Sequence, residues 1–425
     1  MKFGWVIQQS SLKIKMGKKV FIGLSDIASF ISDWDNGFNM LHIKTLKGSM
    51  DYQASTQNSE LDFVVKKYQD KMGYFKPRRV SVRLKPWWDK KVRTYFFEKA
   101  LKNCNIFIIF WESFYPNHED YELLKRKGKK IVTIFVGDDI RWEPAMKQEF
   151  EAYKLPVIEY ENYDYSTNAL NLKLEYLRIA EKYSDVILCQ PNAMQLSIRP
   201  YYNLNIPIIA KDYIERSEQR IKPIIVHAPT SVGKGTKYIE PIIERLKLEG
   251  FDFEYKRIQN VPRPEAINIY QDADIIIDQL LTPGGGKLAH ECLAMGKVVL
   301  TLMGYDNYDQ LKPAECPLID VNQDTLYEVL KPLILDWNKR TEIASKARSY
   351  IEKYHNPKII IEDITNHLNG VKILKPDFTP VFFREEFVPE SADALKVYNK
   401  WNQYIAECDW YKKTVKSGER NGLVF

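Results

Sequence analysis

Short apolar runs alternate along most of the chain with segments in which apolar residues recur at helical spacing. The first run spans residues 19–24, and the strongest run of the first half spans residues 105–110. Continuous apolar runs of this length are typical of strands buried on both faces of a parallel sheet. The pattern therefore predicts an α/β protein, with further strands in the first half at 131–136, 186–189 and 206–209.

The same alternation continues in the second half, where strands are predicted at 223–227, 253–258, 274–278, 298–303 and 317–320. Such regular alternation of strand and helix favours a doubly wound sheet. A charged segment without a core pattern separates the two series and is the predicted linker. We predict a first domain over residues 1–210, a linker over 211–222, a second domain over 223–370, and an extension over 371–425 whose helix packs back on the first domain.

The composition agrees with this picture and excludes several other classes of protein. A chain of 425 residues is too long for one ordinary core and predicts about two domains. The hydrophobic content of 45% and charged content of 28% are globular values. The five cysteines are widely spaced without a C-x-x-C pair, which disfavours a disulfide framework and a zinc site. This use of cysteine fits a reducing cytoplasm, and no apolar run reaches the length of a membrane span.

The positive charge of the chain is concentrated in one segment. The net charge is only +6, yet residues 74–103 hold ten Lys or Arg against Asp89 and Glu98. Residues 74–97 add Trp87 and Trp88, which fits attachment to an anionic membrane surface or a phosphate-bearing acceptor. Single-stranded nucleic acid and a merely solvated face are the alternatives, and no specific nucleic-acid partner is expected. Two prolines in residues 74–88 predict a loop or edge there.

The clearest candidate for chemistry is a glycine-rich stretch over residues 278–300. Gly284, Gly285 and Gly286 follow a predicted strand and precede a helix that carries Glu291. Glycines allow close approach of a ligand to the backbone, and the helix N-terminus favours phosphate. Glu291, one turn into the helix, is placed to accept hydrogen bonds from sugar hydroxyls. The structural alternative is a tight turn that packs a helix on a sheet.

A second phosphate-type loop precedes the helix predicted at 236–249. Lys234 lies between Gly233 and Gly235, but the segment lacks the spacing of an ATP-binding P-loop, since Gly235 stands where that motif has Ser or Thr. A lysine at a helix N-terminus suits phosphate as a point charge. A solvated lysine is the structural alternative. Two such loops on neighbouring strands together predict a cradle for a diphosphate.

Residues 223–365 resemble the nucleotide-binding half of GT-B glycosyltransferases, especially the retaining type of family 4. The resemblance is carried by HAPT…KGT, then YQDADIIIDQL, then GGGKLAHECLAMGKVV. The first half resembles the acceptor domain of these enzymes more weakly, through KVFIGLSDIASF and VGDDIR. The resemblance implies two Rossmann-like domains that face each other across a cleft, followed here by the C-terminal helical extension.

The resemblance also implies roles in binding a nucleoside-diphosphate sugar. The implied contacts are the diphosphate with Lys234 and Gly235, the sugar and phosphates with Gly284, Gly285 and Gly286, the ribose with Glu291, and the base with Arg257.

The sequence departs from the family pattern at two places. Pro283 stands eight residues before Glu291, where the family has a carboxylate, and the arginine of the first phosphate loop is missing. These losses remove a contact to the donor sugar and part of the charge stabilisation of the leaving group. Lys287 is our candidate to substitute for the arginine.

Three further residues are candidates for the transfer step. Asp138 and Asp139 end a predicted strand, and carboxyl ends of parallel strands are where open α/β sheets place ligands, so one of them could position or deprotonate an acceptor hydroxyl. An N-cap with an acidic first turn is the structural alternative for both. His227 ends a strand beside the first phosphate loop and is a candidate to bind phosphate or sugar, with a satisfied core histidine as its alternative.

The sequence thus predicts a metal-independent glycosyltransferase that uses a nucleoside-diphosphate sugar as its donor and needs no cofactor. The acceptor is a glycan, a lipid-linked saccharide or another hydroxyl compound in polysaccharide or glycoconjugate synthesis, and the protein is expected in the cytoplasm or peripherally at the inner face of the membrane. A noncatalytic GT-B homologue that binds a glycan or partner, and a nucleotide-sugar epimerase of the same fold, are the alternatives.

Overall fold

The computed structural model describes residues 19–51, 60–70, 78–158, 160, 162–304, 315–380 and 382–404. The elements of its first half are β1 (Lys19–Leu24), α1 (Phe30–Met40), β2 (Thr45–Ser49), β3 (Phe63–Val64), α2 (Val65–Gln69), α3 (Arg78–Asn103), β4 (Cys104–Phe110), α4 (Glu119–Arg126), β5 (Lys130–Ile134), α5 (Glu143–Ala152), α6 (Thr167–Tyr183), β6 (Val186–Cys189) and β7 (Tyr202–Asn203).

The elements of the second half are β8 (Ile224–His227), α7 (Thr236–Leu248), β9 (Glu254–Arg257), α8 (Arg263–Asp272), β10 (Ile275–Ile277), α9 (Lys287–Ala294), β11 (Val298–Thr301), β12 (Ile319–Asp320), α10 (Leu326–Leu335), α11 (Trp337–Tyr354), α12 (Pro357–Leu368), α13 (Phe382–Glu385) and α14 (Ala392–Gln403).

The described strands form two parallel sheets. The first sheet has seven strands in the order β3-β2-β1-β4-β5-β6-β7, and the second has five in the order β12-β11-β10-β8-β9. The order turns back between β1 and β4 in the first sheet and between β10 and β8 in the second, as expected for doubly wound sheets. The predicted α/β class with two parallel sheets is confirmed.

The central strands are apolar throughout because alternate residues face two different hydrophobic cores. Phe21 of β1 faces one core of the first sheet, and its neighbour Ile22 faces another. The second of these cores also contains Ile276 of β10 and Leu293 of α9, so the two sheets share it. A strand buried on both faces can expose neither set of side chains, and a continuous apolar run is the result.

Helices from the C-terminal part of the chain return to the first sheet. Helix α12 packs across α1, where a Cβ atom at Gly37 would lie 2.6 Å from Cγ1 of Ile361. Helix α14 packs on α6, and Nε1 of Trp401 donates a hydrogen bond of 3.0 Å to Oδ1 of Asn171. The first sheet is therefore covered partly by helices that follow the second sheet in sequence.

Two predictions of local structure are wrong. Residues 78–88, predicted as a loop or edge, belong to helix α3, which contains Pro86. The buried side chains of Val92, Phe96 and Ala100 recur every four residues, and this packing outweighs the cost of an internal proline. Residues 206–209 are irregular instead of forming a strand, since the N–H of Ile208 donates to the carbonyl of His355 at 2.8 Å and not to a sheet.

The basic aromatic segment is described only in part, because residues 74–77 lie outside the described residues. Within α3, Trp87 is 58% exposed and the ammonium of Lys91 lies 4.9 Å from the centre of its ring. Attachment of this segment to a membrane surface stays a prediction. None of the described helices combines the length and the apolar character needed to cross a membrane.

Candidate functional site

The triple-glycine loop lies at the carboxyl end of β10, and Gln279 holds its shape. The Nε2 group of Gln279 donates to the carbonyls of Thr282 and Gly284, at 2.8 and 2.6 Å. Gly284 has a φ of +91°, a left-handed conformation that favours glycine over residues with a side chain. Gly284 therefore allows the turn, and the side chain of Gln279 stabilises it.

Lys234 meets this loop, as the two-loop prediction requires. Its Nζ donates to the carboxylate of Asp278 and to Oε1 of Gln279, the latter at 3.1 Å. A Cβ atom at Gly233 would lie 2.5 Å from Oγ1 of Thr282, so only glycine lets the two loops touch. Gly235, with a φ of +77°, is the N-cap residue that precedes α7. The lysine, both loops and two helix N-termini thus share one end of the second sheet.

Glu291 lies on the first turns of α9 and is held by an arginine that sequence reasoning missed. Arg263 donates from Nη2 to Oε1 of Glu291 at 2.6 Å and from Nη1 to Oε2 at 3.4 Å. The Glu291 side chain is 3% exposed. Burial, followed by the nearby Glu291 carboxylate, holds the pKa of Tyr213 above its usual value. The sequence feature that could have indicated Arg263 is its position as the first residue of α8, the helix that follows β9.

Lys287 contacts the first half of the chain instead of an open phosphate position. Its Nζ donates to Oδ2 of Asp33 at 2.5 Å and to the carbonyl of Ala28 at 2.5 Å. The same Nζ lies 4.0 Å from Oε1 of Glu291. Burial raises the pKa of Asp33 to about 6, although Lys287 partly offsets this effect. A partly buried ion pair thus bridges the cleft, by which we mean the space between the carboxyl edges of the two sheets.

We expect the substitution Asp33→Asn to change stability in a pH-dependent manner. Because the folded pKa of about 6 exceeds the ordinary value of 3.8, the folded state binds the proton more tightly, and this stabilising contribution is lost as the pH rises through about 6. The charged neighbours of Asp33 are Lys287, Glu291 and Arg263. Urea unfolding measures this effect. Between pH 4 and pH 7, the free energy of unfolding of the variant should rise by on the order of 2 kcal/mol relative to that of the parent chain. Parallel pH profiles would contradict this expectation.

The two acidic candidates at the end of β5 occupy different environments. Asp139 is buried, and its carboxylate accepts hydrogen bonds from the N–H groups of Gly137, Val136 and Ile140 at 2.9 to 3.2 Å. Burial raises the pKa of Asp139 to about 6. The Asp138 side chain is 69% exposed and pairs with Nη1 of Arg141 at 2.5 Å. Asp139 therefore stabilises the turn, and Asp138 is the carboxylate that remains accessible.

His227 and Arg257 lie near the site but are engaged elsewhere. The fully buried His227 ring interacts through Nδ1 with the carbonyl of Ile277 at 2.8 Å and through Nε2 with Oγ1 of Thr236 at 2.9 Å. Burial lowers the pKa of His227, which favours its neutral form. Any ligand contact requires the loss of one of these hydrogen bonds. Arg257 is exposed and pairs with Glu240 at 2.7 Å.

The side-chain amides of two residues from the first half donate hydrogen bonds to carbonyls of the glycine loop. Sequence reasoning also missed these residues. Gln190 donates from Nε2 to the carbonyl of Gly285 at 3.2 Å, and Asn192 donates from Nδ2 to the carbonyl of Pro283 at 2.5 Å. Both follow β6, so the carboxyl edges of the two sheets face each other. Among the residues that the structure describes, no group of three or more His, Cys, Asp or Glu side chains is placed to hold a metal ion.

Comparison with known proteins finds similarity in structure only. No family model and no curated protein matches the sequence. The structure is similar to sucrose-phosphate synthase from Thermosynechococcus elongatus, with a TM-score of 0.54 and 10% identity over 84% of this chain and 100% of that chain. It is also similar to a TarM variant from S. aureus in complex with fondaparinux, alpha-GlcNAc-glycerol and UDP, with a TM-score of 0.53 and 11% identity over 83% of this chain and 100% of that chain.

An alpha-glucosyltransferase in complex with UDP and a 13-mer DNA containing an HMU base is similar too, with a TM-score of 0.50 and 11% identity over 83% of this chain and 100% of that chain. The chain has the GT-B fold. The assignment of the second half to the nucleotide sugar and of the first half to the acceptor stays a prediction. Since the identities are near 10%, family 4 membership and a retaining outcome stay predictions.

Proposed function

We propose that this GT-B protein is a glycosyltransferase that moves a sugar from a nucleoside diphosphate to a hydroxyl group. The observation that carries the proposal is the meeting of Lys234, the triple-glycine loop and the N-termini of α7 and α9 at the edge of the second sheet that faces the first. A lysine, two helix dipoles and close backbone N–H groups are the means by which a protein binds a diphosphate.

The surroundings of Lys234 suit charge stabilisation of a leaving diphosphate. Its side chain is only 12% exposed, so a phosphate there interacts with the ammonium in a medium of lower dielectric constant than water. A bound diphosphate would replace the Asp278 carboxylate as the partner of Lys234. Because lysine and helix dipoles supply the positive charge, the transfer proposed here does not depend on a metal ion.

Glu291 is suited to bind the ribose of the donor. A carboxylate offers about four lone-pair sites, and Arg263 and the Tyr213 hydroxyl already interact with Glu291, so the remaining capacity can accept a hydrogen bond from a ribose hydroxyl. The guanidinium also fixes the orientation of the carboxylate before the ligand arrives, which reduces the entropic cost of binding. On the acceptor side we propose that the accessible Asp138 receives or orients the hydroxyl group.

A thermal-shift titration with UDP, GDP and ADP, and with one sugar conjugate of each, tests the proposal. A ligand at one hundred times its Kd stabilises the folded state by about 2.7 kcal/mol, which should raise the unfolding temperature by a few degrees. Hydrogen exchange in the same samples should show protection within residues 223–303. The absence of a shift with every nucleotide would contradict the proposal. UDP is the first choice because two of the similar structures contain it.

Two observations favour a noncatalytic GT-B protein as a second candidate: Pro283 in place of a carboxylate, and the engagement of Lys287 by Asp33. Incubation with a nucleotide sugar and no acceptor separates the candidates. A glycosyltransferase should slowly release nucleoside diphosphate by transfer to water. A noncatalytic protein should bind the nucleotide but release none, and an epimerase should change the sugar without releasing it. Addition of EDTA to the same assay tests independence from metal.

A further inference from the structure

Asp278, which ends β10, carries a buried carboxylate oxygen that has no partner. The side chain is 0% exposed, and its Oδ1 is bound by Nζ of Lys234. Its Oδ2 has no hydrogen-bond partner in the part of the chain that the structure describes. Buried polar atoms are nearly always hydrogen-bonded in folded proteins, so this carboxylate oxygen calls for a partner beyond the described residues.

The unpaired oxygen points toward the N-terminus of α9. It lies 3.7 Å from the position that a Cβ atom would take at Gly286, the residue that caps this helix. Gly286 has a φ of −76°, which residues with side chains adopt freely. The backbone therefore does not require glycine at this position. A Cβ atom there would be in van der Waals contact with Oδ2, so glycine keeps the position next to this oxygen free of a side chain.

The chemistry of a carboxylate limits what can occupy this space. An ionised carboxylate only accepts hydrogen bonds, and it repels a phosphate oxygen. A ligand group next to the diphosphate that donates hydrogen bonds is a hydroxyl of the attached sugar. Lys234 covers Asp278 in the free protein, and its movement to the phosphates would uncover both carboxylate oxygens at the moment that the sugar arrives.

Asp278 differs from Glu291 and Asp33, the other carboxylates beside the loop, because neither of them has a buried oxygen without a partner among the described residues. Arg263 binds both oxygens of Glu291, and Lys287 binds Asp33. We propose that Asp278 accepts a hydrogen bond from a hydroxyl of the donor sugar and thereby contributes to the choice of donor. The inference rests on the proposed function and names the residue that recognises the sugar.

The substitution Asp278→Asn tests this role, because it keeps the volume of the side chain and removes the charge. Isothermal titration should compare UDP with UDP-sugars, and GDP or ADP with their sugars, for the parent chain and the variant. We expect the affinity for the nucleotide sugar relative to the free nucleotide to fall roughly tenfold, since hydrogen bonds to charged groups are the strong ones. The affinity for the free nucleotide should not fall, because the substitution leaves Lys234 without a competing carboxylate.

If Asp278 serves only to hold Lys234, both affinities will change by the same factor, and the proposal is wrong. A second measurement needs no variant: nucleotide sugars that each lack one hydroxyl are titrated against the parent chain. One of them should bind roughly tenfold more weakly, whereas equal binding of all of them overturns the proposal. Failure of the parent chain to bind any nucleotide contradicts the proposed function and this inference together. Nucleotide binding with an unchanged preference for the sugar contradicts this inference alone.

Discussion

Replacing Lys234 with alanine is expected to weaken the binding of a nucleoside diphosphate by about tenfold to a hundredfold. A hydrogen bond to a charged group contributes about 1.5 to 3 kcal/mol, and the low exposure of Lys234 limits the screening of its charge by water. Isothermal titration with the nucleotide that gives the largest thermal shift measures this loss directly. The matched control is Lys237→Ala, three residues further along the chain on the exposed face of α7, which should leave the affinity unchanged.

The same substitution leaves the carboxylate of Asp278 buried without a cation. Breaking a buried ion pair from one side costs about 3 to 5 kcal/mol of unfolding free energy, and part of this cost should appear here. The double substitution Lys234→Ala with Asp278→Asn should recover stability but not nucleotide affinity. Equal weakening of binding by the Lys234 and Lys237 substitutions would show that only the overall charge of the protein matters, against the proposed site.

Replacing Glu181 with alanine is expected to lower the unfolding free energy by about 3 to 5 kcal/mol. Glu181 and Arg178 are both 0% exposed, and Oε2 of Glu181 lies 2.8 Å from Nη1 of Arg178. The other oxygen accepts hydrogen bonds from Oγ of Ser197 at 3.0 Å and from the N–H of Ile198 at 2.9 Å. The substitution therefore leaves a buried guanidinium without its anion, and it removes the acceptor of the N–H groups of Ile198 and Arg199.

Urea unfolding followed by circular dichroism measures this effect, and an unchanged m value would show that the unfolded state is not altered. The control is Glu122→Ala, which removes an exposed pair with Arg126 on α4, where the glutamate side chain is 45% exposed. Its expected effect is about 0.5 kcal/mol or less. A loss below about 1 kcal/mol for Glu181→Ala would contradict the assignment of this pair as a main support of α6.

The central part of the fold could be predicted because strands that are buried on both faces of a parallel sheet have continuously apolar sequences. Strands β4 and β10 were visible for this reason, and the helix predicted at 236–249 corresponds to α7. Strand β2, with the sequence TLKGS, is hardly apolar, and its place depends on pairing with β1. Helix α3 contains a proline, and only its packing against the core makes it a helix. Tertiary contacts decide both elements, so the sequence pattern could not reveal them.

The candidate site likewise contains some residues that the sequence predicts and others that it does not. The glycines and Lys234 could be predicted because local backbone chemistry at a helix N-terminus requires those residue types. The partners that hold them, Gln279, Arg263 and Asn192, are ordinary polar residues whose roles depend on which distant segments meet. Asp278 was visible as the end of a strand, but the lack of a partner for its Oδ2 appears only in three dimensions.

The crossing of α12 onto α1 restricts how the cleft can open. The chain passes between the halves twice: once after β7, and once between α11 and α12. At these crossings the N–H of Ile208 donates to the carbonyl of His355, so the two connections lie side by side. Because the two connections are adjacent, the two halves of the chain can rotate about the line that joins these connections more easily than they can move apart. The first sheet would therefore turn as one body with α12, and breakage of the Lys287–Asp33 pair would report the first step of that rotation.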